Sequence, residues 1–324
     1  MLACLGRSAN PETDSTVAIK RETMREIHTH LAPYWLGGLI EVASVDGGPT
    51  DEQLRIVQGL LRGYFGIESA IDLVPLPAEE LRDIVVDQSS RYRLVQTMII
   101  LQFARHPASE ILADSVERYA AALGVDEPML VVARDAALHS RELLMADWAR
   151  SARNSPIKPQ PTNQSDEEFA AQFEALRSCP DGSLGRAFID FYRSNEFAMP
   201  SAATGLGHSL VNHDFSHVIT GYKPNDAVEE VALSAMLVSS ANGEEHFSAL
   251  AASMALYEVG LFDILGISPT KGVLDRHGAP DVFADAMRRG ASCSADIATI
   301  DHLALADQPI RDVRASLSIP PRAV

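Results

Sequence analysis

The sequence predicts an all-α protein, a multi-helix bundle, on three observations. Long segments rich in Ala, Leu, Glu, Gln and Arg carry apolar residues at helical spacing. Clusters of β-branched residues are few. Capping residues, glycines and prolines punctuate the segments where helices should start and stop. The length of 324 residues allows a substantial core, and 46% hydrophobic with 22% charged residues is the balance of a folded chain.

Residues 22–44 read as a helix interrupted near Pro33, and Asp46-Gly47-Gly48-Pro49 forces a turn. Thr50 follows as an N-cap with Gln53 at the third helical position, opening a helix that carries Leu54, Ile56, Val57, Leu60 and Leu61. Further helices are expected over 77–89, 92–105, 108–123 and 127–150, with Gly124 as a C-terminal stop. Residues 20–150 thus form a first helical unit. Residues 151–166, with Pro156, Pro159 and Pro161 and no apolar periodicity, read as a linker. A second unit, 167–324, has helices expected at 167–177, 183–193, 206–220, 227–241, 244–259 and 281–289, and a helical end over 297–317 broken at Pro309.

The first unit resembles the TerB-like helical domain, in Ile40-Glu41-Val42-Ala43-Ser44-Val45-Asp46-Gly47, in Thr50-Asp51-Glu52-Gln53 and in Tyr119-Ala120-Ala121-Ala122-Leu123-Gly124-Val125. An acidic helical unit on a Pro-containing linker could dock to another protein, extend a dimer interface or cover the entrance to a lipid cavity, with docking the first expectation.

Asp and Glu outnumber Lys and Arg by 44 to 27, a formal net charge of -17, which argues against nucleic acid as a partner. Lys20, Lys158, Lys223 and Lys271 are scattered and build no basic stripe. Cys4, Cys179 and Cys293 are isolated, suggesting neither a disulfide framework nor a thiolate cluster, and a reducing, cytoplasmic compartment fits. Residues 1–14 lack the basic-then-apolar pattern of a signal peptide. The most apolar stretch, 231–241, ends at Asn242-Gly243-Glu244-Glu245-His246, too soon to span a bilayer, so any membrane association should be peripheral.

The segment that carries chemistry is His213-Asp214-Phe215-Ser216-His217. On a helix the two histidines stand i,i+4 on one face, where both imidazoles can converge on one ion. Asp214 is rotated by roughly 100° from His213, and either reaches the ion from the edge of that face or holds an imidazole N–H from behind. Glu229 arrives from the next helix, after the break at Tyr222-Lys223-Pro224-Asn225. It has an ordinary reading as well, since Asp226 as N-cap would put Glu229 in a capping box; Glu229 as a ligand would leave Glu230 as a surface carboxylate. Two imidazoles with carboxylates and no thiolate suit a divalent metal ion such as zinc, iron(II) or manganese. Glu244, Glu245 and His246 form a second polar cluster that reads mainly as helix-dipole compensation.

The run His213-Asp214-Phe215-Ser216-His217, eleven residues, then Glu229 resembles the metal signature of the Coq4 family of ubiquinone biosynthesis proteins. Pro180-Asp181-Gly182-Ser183-Leu184-Gly185-Arg186-Ala187-Phe188 resembles the family's Gly-Ser-Leu-Gly-Arg segment, Gly221-Tyr222-Lys223-Pro224 its ligand-helix loop, and residues 303–319 with Arg311, Arg314 and Leu317 its closing segment. These pieces run in order across residues 176–321. By resemblance His213, Asp214, His217 and Glu229 take the metal-binding positions. The resemblance further implies action on a prenylated quinone precursor, with the ring C1 carboxylate replaced by hydroxyl in an oxidative decarboxylation. It also implies peripheral association with the inner face of a membrane, a homodimer, and a scaffold role for other quinone-biosynthesis proteins. The approach at 199–211 is shorter than the family's, and the aromatic, acidic continuation expected after Glu229 is replaced by 231–238.

Walls for an isoprenoid tail are expected from Phe188, Phe191, Phe197, Phe215 and the apolar 231–238, although the same residues at helical spacing also read as plain core. Arg186 is the candidate for an anionic head group beside the Gly182 and Gly185 backbone, against an alternative of surface pairing. Two other functions fit parts of the pattern. A zinc-dependent hydrolase matches the histidine spacing, but Asp214 stands where a metallopeptidase has its general-base Glu. A lipid-binding scaffold in which zinc staples two helices requires a closed site.

Overall fold

The computed structural model describes residues 27–69, 72–138, 166–200, 208–240, 246–261 and 267–323. Among these the structure is all-helical, with no strand and one isolated bridge between Ser183 and Pro309.

The first helices are α1 (Ala32–Ala43), α2 (Asp51–Gly59), α3 (Ala78–Ile84), α4 (Gln88–Phe103), α5 (Glu110–Leu123) and α6 (Met129–Ala137). Pro33 stands in the first turn of α1, where its missing N–H costs nothing, after a 3-10 turn at Thr29–Leu31; residues 22–26 of the expected helix lie outside the described residues. The capping box at Thr50 is present, with Gln53 N–H donating to the Thr50 hydroxyl and Thr50 N–H donating to the Gln53 side chain. Gly124 closes α5 at φ 67°, a left-handed position. The helix expected over 77–89 is shorter, because Asp87 accepts from Ser90 N–H and opens α4 there. The expected helix over 127–150 is described only to residue 138. The linker at 151–166 lies outside the described residues apart from Asp166.

The later helices are α7 (Asp166–Ala175), α8 (Leu184–Ser194), α9 (His208–Thr220), α10 (Ala227–Ser240), α11 (Phe247–Met254), α12 (Ala279–Ala291) and α13 (Ile310–Ser316). The helical end expected over 297–317 is mostly extended or turned chain, with a short 3-10 turn at Leu303–Leu305 before α13.

Packing does not follow chain order. One apolar cluster joins α1–α6 to Tyr222, α10, α11 and α12; a smaller one joins α7, α8 and α9 to Ala306, Val313 and Leu317. The first unit is therefore packed against the second unit's central helices. Two small residues allow the approach. A Cβ on Gly59 would lie 2.7 Å from the Pro280 carbonyl oxygen, and one on Gly63 2.8 Å from the Ala284 side chain. Arg62 pairs with Asp281 at 2.7 Å, and Arg55 pairs with Asp275, over the same junction. Arg93 on α4 reaches α10, donating to the Val238 carbonyl at 2.9 Å. Residues 231–240 of α10 are all buried, which explains why that stretch is apolar around its whole circumference.

Candidate metal centre

The site lies where α9 and α10 meet at the loop 221–226. The C-terminal end of α9 leaves carbonyls without intrahelical partners, and three arginines supply donors. Arg314 donates to Ile219 and Val218 at 2.7 and 3.1 Å, Arg289 to Thr220 at 2.9 Å, and Arg322 to Gly221 at 3.3 Å. Positive charge at this end also complements the helix dipole. The arginines 289 and 322 lie over the Tyr222 ring at 5.1 and 4.8 Å. On the other side, α8 packs on α9 through Phe188, stacked on Phe215 at 4.0 Å between centroids.

Held this way, His213 and His217 present their Nε2 atoms 3.1 Å apart. The carboxylate of Glu230 meets both, at 3.5 Å from His213 and 3.4 Å from His217 through different oxygens. Donor atoms of the three residues all lie within 4.8 Å of one another. His217 Nδ1 donates to the Tyr222 carbonyl at 3.0 Å, which turns its Nε2 toward the group. His217 is fully buried, Glu230 is 13% exposed, and His213 is 34% exposed, so the cluster has one open side.

The three groups are electrostatically coupled. Burial would raise the Glu230 carboxyl, but hydrogen bonds and charge from the two histidines hold it at about 2. Burial pulls the His213 imidazolium down, and Glu230 more than offsets this, leaving its pKa raised. Asp214 is pushed up by burial, against the Tyr192 hydroxyl that donates to it and the two imidazoles. The Tyr192 phenol is itself raised, by burial and then by the Asp214 charge.

The structure corrects the carboxylate. Glu229 does not face the histidines: it accepts from Lys223 N–H at 2.6 Å and pairs with Arg322 at 3.2 Å. Its neighbour Glu230, read from sequence as a surface group, takes the position beside the imidazoles. Asp226 caps α10, accepting from Val228 and Glu229 N–H, and one residue of helical rotation then decides which glutamate turns inward. Asp214 is outside the three-residue group: its carboxylate accepts from the Tyr192 hydroxyl, neither joining Glu230 at the imidazoles nor taking an imidazole N–H.

The substrate candidates divide. Phe188 and Phe215 are fully buried in the smaller core. Phe191 is partly buried and stacks on His217 at 5.8 Å, with Phe197 edge-on to it at 5.9 Å. Arg186 is taken by other partners: it lies 3.8 Å from both Asp181 and Asp190 and donates to the Arg177 carbonyl. Leu184 and Gly185 N–H donate to the Gln308 and Ala306 carbonyls at 2.9 and 2.8 Å. The Gly-Ser-Leu-Gly stretch therefore clasps the segment before α13, and the N–H groups of Ser183, Leu184 and Gly185 are taken by backbone carbonyls. A Cβ at Gly185 would lie 2.7 Å from Cys179 Sγ, which accounts for the glycine. His246 pairs with Asp296 at 2.6 Å; Glu244 and Glu245 lie outside the described residues.

Fold and site together define an all-helical protein with a candidate divalent-metal centre of two histidines and a glutamate. No protein-family model matches the chain, and no curated protein matches it. No helix among the described residues is long and apolar enough to cross a membrane.

Proposed function

We propose that the chain is a metal-dependent protein of quinone biosynthesis that acts on a prenylated aromatic acid at His213, His217 and Glu230. The observation that carries the metal part is the convergence of two imidazole Nε2 atoms and both Glu230 oxygens, with the His217 tautomer set by Tyr222. The donor set, nitrogen and carboxylate without thiolate, fits zinc, iron(II) or manganese. The ordered resemblance of residues 176–321 to the Coq4 family supports the substrate class. A zinc staple would be closed on all sides; the one-third-exposed His213 favours a site with an open position instead.

In this reading the bond between ring C1 and the carboxyl carbon breaks. CO2 leaves and a ring hydroxyl forms, with uptake of dioxygen and of two electrons and two protons from an external reductant, and release of water. His213, His217 and Glu230 would hold the metal, which when bound would supply Lewis acidity toward the phenolate or carboxylate of the substrate and, if iron, redox capacity for dioxygen chemistry. His217 and Glu230 hold the ligand geometry. Tyr192 orients Asp214, which stands beside the imidazoles as a proton acceptor. Phe191 and Phe197 offer the aromatic wall against which a substrate ring packs, and they exclude water from that side. The chain acts as a homodimer, associates peripherally with the cytoplasmic face of a membrane, and contacts other quinone-biosynthesis enzymes.

Elemental analysis of protein purified without added metal, with an anaerobic aliquot, tests the reading. Near-stoichiometric iron or manganese that disappears in His217→Ala is expected, together with CO2 release from a prenylated hydroxybenzoate under air. Tightly held zinc with no turnover would favour the hydrolase or staple, and metal-free protein in both forms would end the proposal.

A further inference from the structure

A second cluster stands on different elements. Glu52 lies in the first turn of α2, His106 just after α4, and Glu258 in the π-helical turn Ala255–Val259 that follows α11. Donor atoms of the three lie within 4.8 Å of one another. His106 Nε2 is 2.7 Å from one Glu258 oxygen. The other Glu258 oxygen accepts from Leu274 N–H at 2.9 Å, which fixes the carboxylate's orientation from behind. Glu258 is wholly buried, and Glu52 is 8% exposed.

The arrangement is incomplete as it stands. Oε1 of Glu52 is buried and meets no hydrogen-bond donor. The nearby Arg55 pairs with Asp275. Glu52 and His106 also line a cavity of about 620 Å³, bordered by Lys271 and Asp275. A cation at this place would give the Glu52 carboxylate a partner and would have open coordination positions toward the cavity for water or a small anion.

We propose that Glu52, His106 and Glu258 form a second divalent-cation site, at the junction between the first helical unit and the turn after α11. The ligand set of two carboxylates and one imidazole suits manganese, iron(II) or zinc. With no cation, burial and then the facing charges of Glu258 and Asp275 push the Glu52 carboxyl up to about 8, a cost that a bound cation removes. The cluster shares no residue with the His213 centre, and the proposal does not depend on the quinone reading.

The test uses the full chain, stripped with a chelator and titrated with Mn2+ and, separately, Zn2+. A Glu230→Gln background removes the first centre. That protein should still bind one equivalent, and adding Glu52→Gln or His106→Gln should weaken the remaining equivalent by roughly 100-fold or more. Glu52→Gln mimics the protonated acid, and helix content with thermal midpoint checks its folding. Should it misfold, His106→Gln, which alters a partly exposed ring, carries the decision. Equal binding by the Glu230→Gln protein with and without His106→Gln would overturn the proposal, as would complete loss of binding in Glu230→Gln alone.

Discussion

His217 Nδ1 donates to the carbonyl of Tyr222, five residues further on, at 3.0 Å. That bond leaves Nε2 as the acceptor atom and sets the imidazole plane toward His213 and Glu230. Because Tyr222 lies in the loop between the two helices, the loop's conformation and the ligand's tautomer are one property.

The adjacent glutamates should separate cleanly. Glu230→Gln is expected to lose the metal, whereas Glu229→Gln should retain it and instead lose about 1–3 kcal/mol of stability, since Lys223 N–H and Arg322 lose a charged acceptor. Metal content by elemental analysis, read beside urea unfolding, checks both. Metal loss in Glu229→Gln with retention in Glu230→Gln would reverse the assignment.

Tyr192→Phe removes the hydroxyl that donates to Asp214. Fold and metal stoichiometry should persist, with affinity weakened by about 10–100-fold because a supporting contact is gone. Competition against a chromogenic chelator measures this. Unchanged affinity would show that Asp214 plays no part in the centre.

Acid stability should report His302. This residue is buried under Phe215, its ring 5.2 Å away and stacked. Burial pulls its pKa from 6.5 down to about 4. An unfolded chain takes up the proton near 6.5 and the folded chain does not until about 4. The contribution is therefore whole above pH 6.5 and fades as pH falls to about 4, by about 3 kcal/mol. Unfolding free energy followed over that window should slope less in His302→Phe. An identical slope in the variant would assign the effect to other groups.

Gly290 sits where α12 crosses α10, and a Cβ there would collide with the Met236 carbonyl oxygen. Gly290→Ala should cost about 3 kcal/mol through overpacking. Gly47→Ala is a different experiment: Gly47 has φ 89° and open space around it, so its cost is backbone strain of about 1–2 kcal/mol. Thermal melts of the two variants give the comparison.

Much of the fold was readable locally. Thr50 with Gln53, Ser183 before α8, and Gly124 after α5 act through neighbours within a few residues, so their signals are in the sequence itself. The histidine pair was readable for the same reason, because i,i+4 spacing on a helix brings two rings together wherever that helix lies. Which glutamate joins them was not. It depends on the rotation of α10, set by Asp226 and by Arg322, which is 93 residues from Glu229. The role of the Gly-Ser-Leu-Gly stretch was hidden similarly, since its partners are the carbonyls of Ala306 and Gln308. The second cluster draws its residues from three distant elements and has no spacing to find.

The clamps on α9 come late in synthesis. Arg314 lies 95 residues beyond the Ile219 carbonyl it holds, and Arg322 lies 101 beyond that of Gly221. A chain emerging from the ribosome exposes both histidines well before any arginine that anchors their helix. Any ion that the His213 and His217 pair takes would therefore meet an unanchored helix until those arginines have joined it.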